Sequence, residues 1–261
     1  MVSGFILGYY IVRKMFRAEG IKESLLDHLT MYVIIGGIVG ARLGHVFFYD
    51  WDYYSEHTED IMKIWEGGLA SHGGALGIII TLALFKYFSS KGNYLWSLDR
   101  VVVPTALAGA LIRMGNLMNH EIVGKVTDLP WAFHFTRYEH AVTGVADPAS
   151  VGRHPAQIYE AIAYLLIFAF LYRAYWKGGA GKLRGYLFGW FLTLIFTMRL
   201  LIEFVKEAQA ELDQTAALNT GQILSIPLII LGIAFIIYGK KKGPTNEPGV
   251  GPHQLVATQH A

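Results

Sequence analysis

The residues best suited to chemistry are concentrated in one stretch, Leu111-Ile-Arg-Met-Gly-Asn-Leu-Met-Asn-His-Glu-Ile-Val-Gly124. It begins at the end of an apolar run, Val101 to Ile112, that reads as a membrane span, yet it carries Arg113, Asn116, Asn119, His120 and Glu121. An arginine in hydrocarbon costs at least about 2.5–3.5 kcal/mol on insertion scales, so such residues usually face a bundle interior or a wet cavity and mark function. Helical spacing puts Arg113, Asn116 and the Asn119/His120 pair on one face. A guanidinium on such a face can hold phosphate oxygens bidentately. The plainer reading is a span that stops at Met118 with its polar residues snorkelling to the interface.

Further polar residues recur in apolar surroundings. Gly67-Gly-Leu-Ala-Ser-His-Gly-Gly74 holds His72 between glycines, and Gly73 and Gly74 allow close backbone approach or exposed N–H groups. His154-Pro-Ala-Gln-Ile-Tyr-Glu160 places His154, Gln157 and Glu160 at the start of another apolar run. Arg199 and Glu203 stand four apart, and Arg42 lies in a run with Gly36, Gly37, Gly40 and Gly44. Each has a structural alternative. Arg199 and Glu203 could be an ion pair within the bundle, Glu160 could serve only as a partner to it or to Arg42, and Arg42 could serve packing or topology. His154-Pro155 could simply start a helix, and small residues at four-residue spacing let helices approach closely. His45, His120, His134 and His140 show no His-Glu-x-x-His spacing, so no metal site is expected. With no cysteine in the chain, a thiol in the chemistry must arrive on the substrate, and no cofactor is called for.

The elements that must position these residues are helices in a membrane. Of the 261 residues 53% are hydrophobic and 16% charged, with a mean hydropathy of +0.37, against about 25% charged in ordinary soluble domains. A net charge of +2 gives no reason to expect nucleic acid. Apolar runs near the ~20-residue spanning length argue for an all-α polytopic bundle of about seven transmembrane helices rather than a barrel. The first, Met1 to Val12, is short and reads as truncated, with no signal-peptide pattern. The others are His28–Tyr49, a span opened by Gly67 to Gly74 and ending near Phe88, Val101–Met118, a span led by His154 and ending near Trp176, Tyr186–Lys206 and Gly221–Tyr238. Residues 1–242 are expected to form one integral membrane catalytic domain and 243–261 a disordered cytoplasmic tail.

Lys and Arg favour cytoplasmic loops. One set of linkers and flanks, from Arg13 to Lys242, holds fourteen of them, and the opposite set holds five: Lys63, Lys125, Arg137, Arg153 and Lys206. The N-terminus is therefore expected outside and the C-terminus inside. Arg42, His72, Arg113, His154, Gln157, Glu160, Arg199 and Glu203 then all fall in the outer half of the membrane. An arginine-lined cavity at that depth suits a lipid phosphate. A small-molecule or ion transporter would show buried charge on both sides of the midplane, and an intramembrane protease would need a Ser/His or paired-Asp constellation.

The sequence resembles the prolipoprotein diacylglyceryl transferases, enzymes of the bacterial inner membrane. The matching segments are Gly40-Ala-Arg-Leu-Gly44, Trp65 to Gly74, Arg113 to Gly124, His154 to Glu160 and Arg199-Leu-Leu-Ile-Glu-Phe204, across roughly Met1 to Tyr238. The resemblance implies transfer of the diacylglyceryl group of phosphatidylglycerol to the thiol of the lipobox cysteine in a preprolipoprotein signal peptide, the first step of lipoprotein maturation. It implies His72 as the essential histidine, with Arg113, Asn116, Glu121 and Arg199 as further catalytic residues. Asn119, Gly124, Gly73, Gly74, His154, Gln157, Glu160, Glu203 and Arg42 are expected to bind substrate. The family's Tyr-Gly motif at the outer start of its first helix has no match here, and Tyr9-Tyr10 lies too far inward to replace it.

Overall fold

The computed structural model describes residues 2–144, 151–207 and 220–256. It is all-helical, with 76% of residues in helix and no strands among the described residues. The helices are α1 (Val2–Ala18), α2 (Glu23–Phe48), the short α3 (Trp51–Glu56), α4 (Ser71–Phe85), α5 (Tyr94–Asn119), the single turn α6 (Thr136–Tyr138), α7 (Ala156–Lys177), α8 (Tyr186–Ile202) and α9 (Thr220–Lys242). Six of them are long and apolar enough to cross a membrane: α2, α5 and α7 as they stand, α4 and α8 each extended by a short turn (to Ser90 and Val205), and α9 less its first residue. At 17 residues, α1 is not among them.

Contacts group the chain into two compact units, Met1–Gly8 with Asp99–Asn246, and Tyr9–Leu98 with Glu247–Ala261. In the second unit, α2 and α4 meet along a seam of glycine. A Cβ on Gly40 would lie 2.8 Å from Gly77 Cα, and one on Gly44 would lie 2.6 Å from Gly73 Cα. These are main-chain contacts that no rotamer change relieves, so only glycine fits and the helices approach backbone to backbone. In the first unit α8 and α9 use the same device, since a Cβ on Gly189 would lie 2.7 Å from the Gly232 carbonyl.

Helix α5 begins at Tyr94, seven residues before the apolar run that marks it in the sequence. The reason is that its polar first turns are buried and partnered. Asp99, fully buried, accepts hydrogen bonds from the backbone N–H groups of Gly185 (2.7 Å) and Phe188 (2.9 Å). It thereby caps the first turn of α8, whose leading N–H groups have no partner within their own helix.

The tail departs from the expected disorder. Gly243 to Val256 lies within the described residues, and its second half is folded into the second unit. The Gly251 N–H donates to the Ser90 carbonyl (2.7 Å), Asn93 N–H to the Gly249 carbonyl (2.9 Å), Lys22 N–H to the Gln254 carbonyl (3.0 Å) and Val256 N–H to the Gly20 carbonyl (2.8 Å). Val250 is buried, and a Cβ on Gly249 would collide with the fully buried Trp96. Composition missed this because the segment pairs through its backbone and needs no apolar periodicity. Residues 257–261 lie outside the described residues.

Candidate active site

The first unit gathers most of the chemically interesting residues in one network. Glu160, at the start of the second turn of α7, is fully buried, and each of its carboxylate oxygens meets a cation. Arg113 Nε lies 2.8 Å from Oε2 and Lys206 Nζ 2.9 Å from Oε1. Lys206, itself 5% exposed, also meets Glu203 Oε2 at 3.3 Å. Two cations on one buried carboxylate repay a desolvation cost of several kcal/mol per ion only if the geometry is held firmly. Here α5 supplies Arg113, α7 supplies Glu160, and Lys206 directly follows the turn Glu203–Val205 that ends α8.

From Arg113 the network runs to the end of α5. Arg113 Nη1 donates to Asn116 Oδ1 (3.2 Å), Asn116 Nδ2 to Glu121 Oε2 (2.9 Å) and Asn119 Nδ2 to Glu121 Oε1 (3.2 Å). The fully buried Gln157 donates from Nε2 to the Glu121 backbone carbonyl (2.6 Å). Glu121 is thus fixed by main chain and side chain alike, although it is exposed. It stands between His120 at φ 59° and Ile122 at φ 56°. A β-branched residue in the left-handed region stores strain of order 1–3 kcal/mol, of the kind concentrated at functional sites. Tyr164, one turn beyond Glu160, lies close enough to Glu160, Arg113 and Arg199 for their charges to act on its hydroxyl. Arg199 forms no ion pair among the described residues.

Beneath this network three backbone segments cross. Gly124 N–H donates to the His154 carbonyl (3.1 Å), Lys125 N–H to Val205 (2.8 Å), His154 N–H to Lys125 (3.0 Å) and Glu207 N–H to Val123 (3.1 Å). A Cβ on Gly124 would lie 2.5 Å from His154 Cβ and 2.9 Å from the Val205 carbonyl. Gly124 therefore makes the close crossing possible. His154 contributes its backbone here, while its Nδ1 lies 3.3 Å from the Tyr159 hydroxyl. Leu117, Val123 and Phe135 form an apolar cluster, with Tyr138 and Ile158 packed against it.

Arg42, His72, Gly73 and Gly74 belong to the second unit. Arg42 is 4% exposed, and all three of its nitrogens are used on the loop that leads to α4. Nε donates to the Ile61 carbonyl (2.8 Å), Nη1 to Gly67 (2.8 Å) and Nη2 to Asp60 (2.5 Å). These bonds give Arg42 a loop-shaping task. The Asp60 carboxyl in this loop is held below its usual range by Lys63 and then by the Tyr53 hydroxyl. Gly73 faces Gly44 and Gly74 faces Ala41, so both glycines lie in the α2–α4 seam. His72 is exposed in the first turn of α4.

Compared with the reading from sequence, the structure brings together Arg113, Asn116, Asn119, Glu121, Gln157, Glu160 and Glu203, with Arg199 nearby. It differs over Glu203, whose cationic partner is Lys206 and not Arg199. Lys206 and Tyr164 were not singled out from sequence. Lys206 reads there as a loop charge, and only its spacing of three from Glu203 hints at the pair.

Comparison with known proteins places the chain by sequence. A family model described as prolipoprotein diacylglyceryl transferase matches residues 1–238. A protein of Chloroherpeton thalassium named phosphatidylglycerol–prolipoprotein diacylglyceryl transferase is 44% identical over 238 residues, covering 91% of this chain and 85% of its own. Relatives of the same name from Porphyromonas gingivalis (45% identical; 93% and 87% covered) and Bacteroides fragilis (44%; 92% and 87%) extend the likeness.

Proposed function

The chain belongs to the prolipoprotein diacylglyceryl transferase family, and from that premise we propose that it transfers the diacylglyceryl group of phosphatidylglycerol to the lipobox cysteine of a preprolipoprotein signal peptide. In this reaction a thiolate sulfur forms a bond to the glyceryl carbon and the carbon–oxygen bond to phosphate breaks. The electron pair departs on glycerol phosphate. A free thiol with a pKa near 8.5 is only a few per cent ionised at neutral pH, so two tasks fall to the protein: favouring thiolate and stabilising the anionic leaving group.

The observation that carries the reading is the division of labour between two arginines in the first unit. Arg113 is fixed through Nε to a buried carboxylate, which aims its far edge, while Arg199 forms no ion pair among the described residues and keeps its fork for a ligand. Both lie in the field at Tyr164. Guanidinium groups so prepared suit the phosphodiester and the charge that grows on its leaving oxygen. Asn116, Asn119 and Glu121 order the head group, and Lys206 and Glu160 hold Arg113 in place. On its motif alone, His72 is assigned assistance to thiol deprotonation.

The protein is a multi-pass membrane protein. We place it in the bacterial inner membrane with the N-terminus out and the C-terminus in, α1 counting as a seventh crossing, on the strength of the Lys/Arg bias. Residues 1–242 form the catalytic domain in this reading, with no cofactor and no metal. A transporter has no support in the comparisons. Purified protein incubated with phosphatidylglycerol and a lipobox peptide should raise the peptide's mass by one diacylglyceryl group. An unmodified peptide would reject the proposal, and His72→Gln at near wild-type turnover would reject the histidine as base.

A further inference from the structure

Arg153 lies outside the network described above, yet it is 5% exposed and sits immediately before His154. Its three nitrogens are all engaged. Nε and Nη2 form a fork on the carboxylate of Glu139, which is 1% exposed. Nη1 meets Glu207 Oε2 at 2.7 Å and donates to the Gly124 carbonyl at 3.2 Å. The guanidinium also lies 5.0 Å from the centre of the Tyr138 ring. Burial opposes its charge, but the bonds to Glu139 and then Glu207 raise its pKa above the ordinary arginine value. Nothing on this side chain remains for a substrate.

Its contacts fall on each of the three segments that cross at Gly124. Glu207 closes the segment after α8, Gly124 belongs to the segment after α5, and the Arg153 backbone itself lies on the third. There it exchanges both hydrogen bonds with Phe133 (2.9 Å each). Glu121 lies three residues before Gly124, Lys206 one before Glu207 and His154 one after Arg153. A planar fork that contacts two segments from the third fixes their spacing in a way a flexible ammonium does not.

We infer that Arg153 is a positioning residue for the transfer reaction, setting where Glu121, Lys206 and His154 stand without touching lipid or peptide. The inference rests on the transferase reading above. If it holds, Arg153→Met lowers kcat at least tenfold while the KM for phosphatidylglycerol moves less than threefold. Removing the stranded charge in Arg153→Met/Glu139→Gln restores folded yield but not kcat, and Arg153→Lys restores little. Hydrogen exchange of the Gly124, Lys125 and Glu207 amides rises in Arg153→Met, whereas that of α9 does not. Wild-type enzyme in the same assay keeps the two readings separable: no transfer by the wild type sinks the transferase reading itself. An active wild type with Arg153→Met/Glu139→Gln at wild-type kcat sinks this inference alone, as does unchanged exchange at the three amides.

Discussion

At the scale of single residues, side chains that hold the ligand differ in their tests from those that hold other side chains. Arg199 belongs to the first kind. Hydrogen bonds to charged groups contribute about 1.5–3 kcal/mol each, so Arg199→Gln should lower kcat/KM roughly 10- to 150-fold with an unchanged melting temperature. Wild-type kinetics in that variant would remove Arg199 from the site. Glu160 belongs to the second kind, because its replacement takes the carboxylate from Arg113 Nε and leaves Lys206 with Glu203 alone. Removing one partner of a buried ion pair costs about 3–5 kcal/mol, so Glu160→Gln should unfold in detergent at a clearly lower temperature. Glu160→Gln/Lys206→Met should recover part of the loss, and a double variant no better than the single one would show that the Lys206 pair is not coupled. Arg113 to Glu121 was legible in the sequence because polar residues at the end of an apolar run need partners. The partners themselves were less legible, since Lys206 reaches Glu160 across 46 residues of chain and no local spacing reports that.

At the scale of elements, the glycine seams decide how closely helices approach. Gly40→Ala places a methyl against the Gly77 backbone, and overpacking of that kind costs about 1–3 kcal/mol or more. Gly37 is the built-in control, because its Cβ would meet only the Ile78 side chain at 3.7–3.8 Å. Gly37→Ala should be neutral or gain up to about 1 kcal/mol from helix propensity. Equal melting temperatures for the two variants would contradict the close seam. The α2 glycines read as packing residues in the sequence, but the seam position of Gly73 and Gly74 was not legible there, since glycines beside a histidine look the same whether a phosphate or another helix approaches them. The tail gives a second prediction at this scale. Deleting 247–261 removes the backbone pairing at Gly20, Lys22, Ser90 and Asn93 and uncovers Trp96, so the melting temperature should fall and the tryptophan emission shift to longer wavelength. An unchanged spectrum and melting temperature would restore the disordered tail.

At the scale of the whole molecule, lipid replaces water as the solvent for most of the helical surface. Ile35, Leu76, Ile112, Leu166, Leu201 and Ile230, one from each spanning helix or its last turn, are all exposed, which a soluble protein would bury and a bilayer accepts. Within this apolar surface the buried charges of the first unit are a concentrated exception, and that contrast ties the fold to the reaction. The central claim is that Arg113 and Arg199 stabilise a phosphate that leaves as sulfur arrives. Simultaneous measurement of glycerol phosphate release and peptide modification tests it most directly. Wild type should give equal amounts of the two products, and Arg113→Gln/Arg199→Gln should lose both together. Release without peptide modification in the wild type, or full turnover in the double variant, would contradict the account.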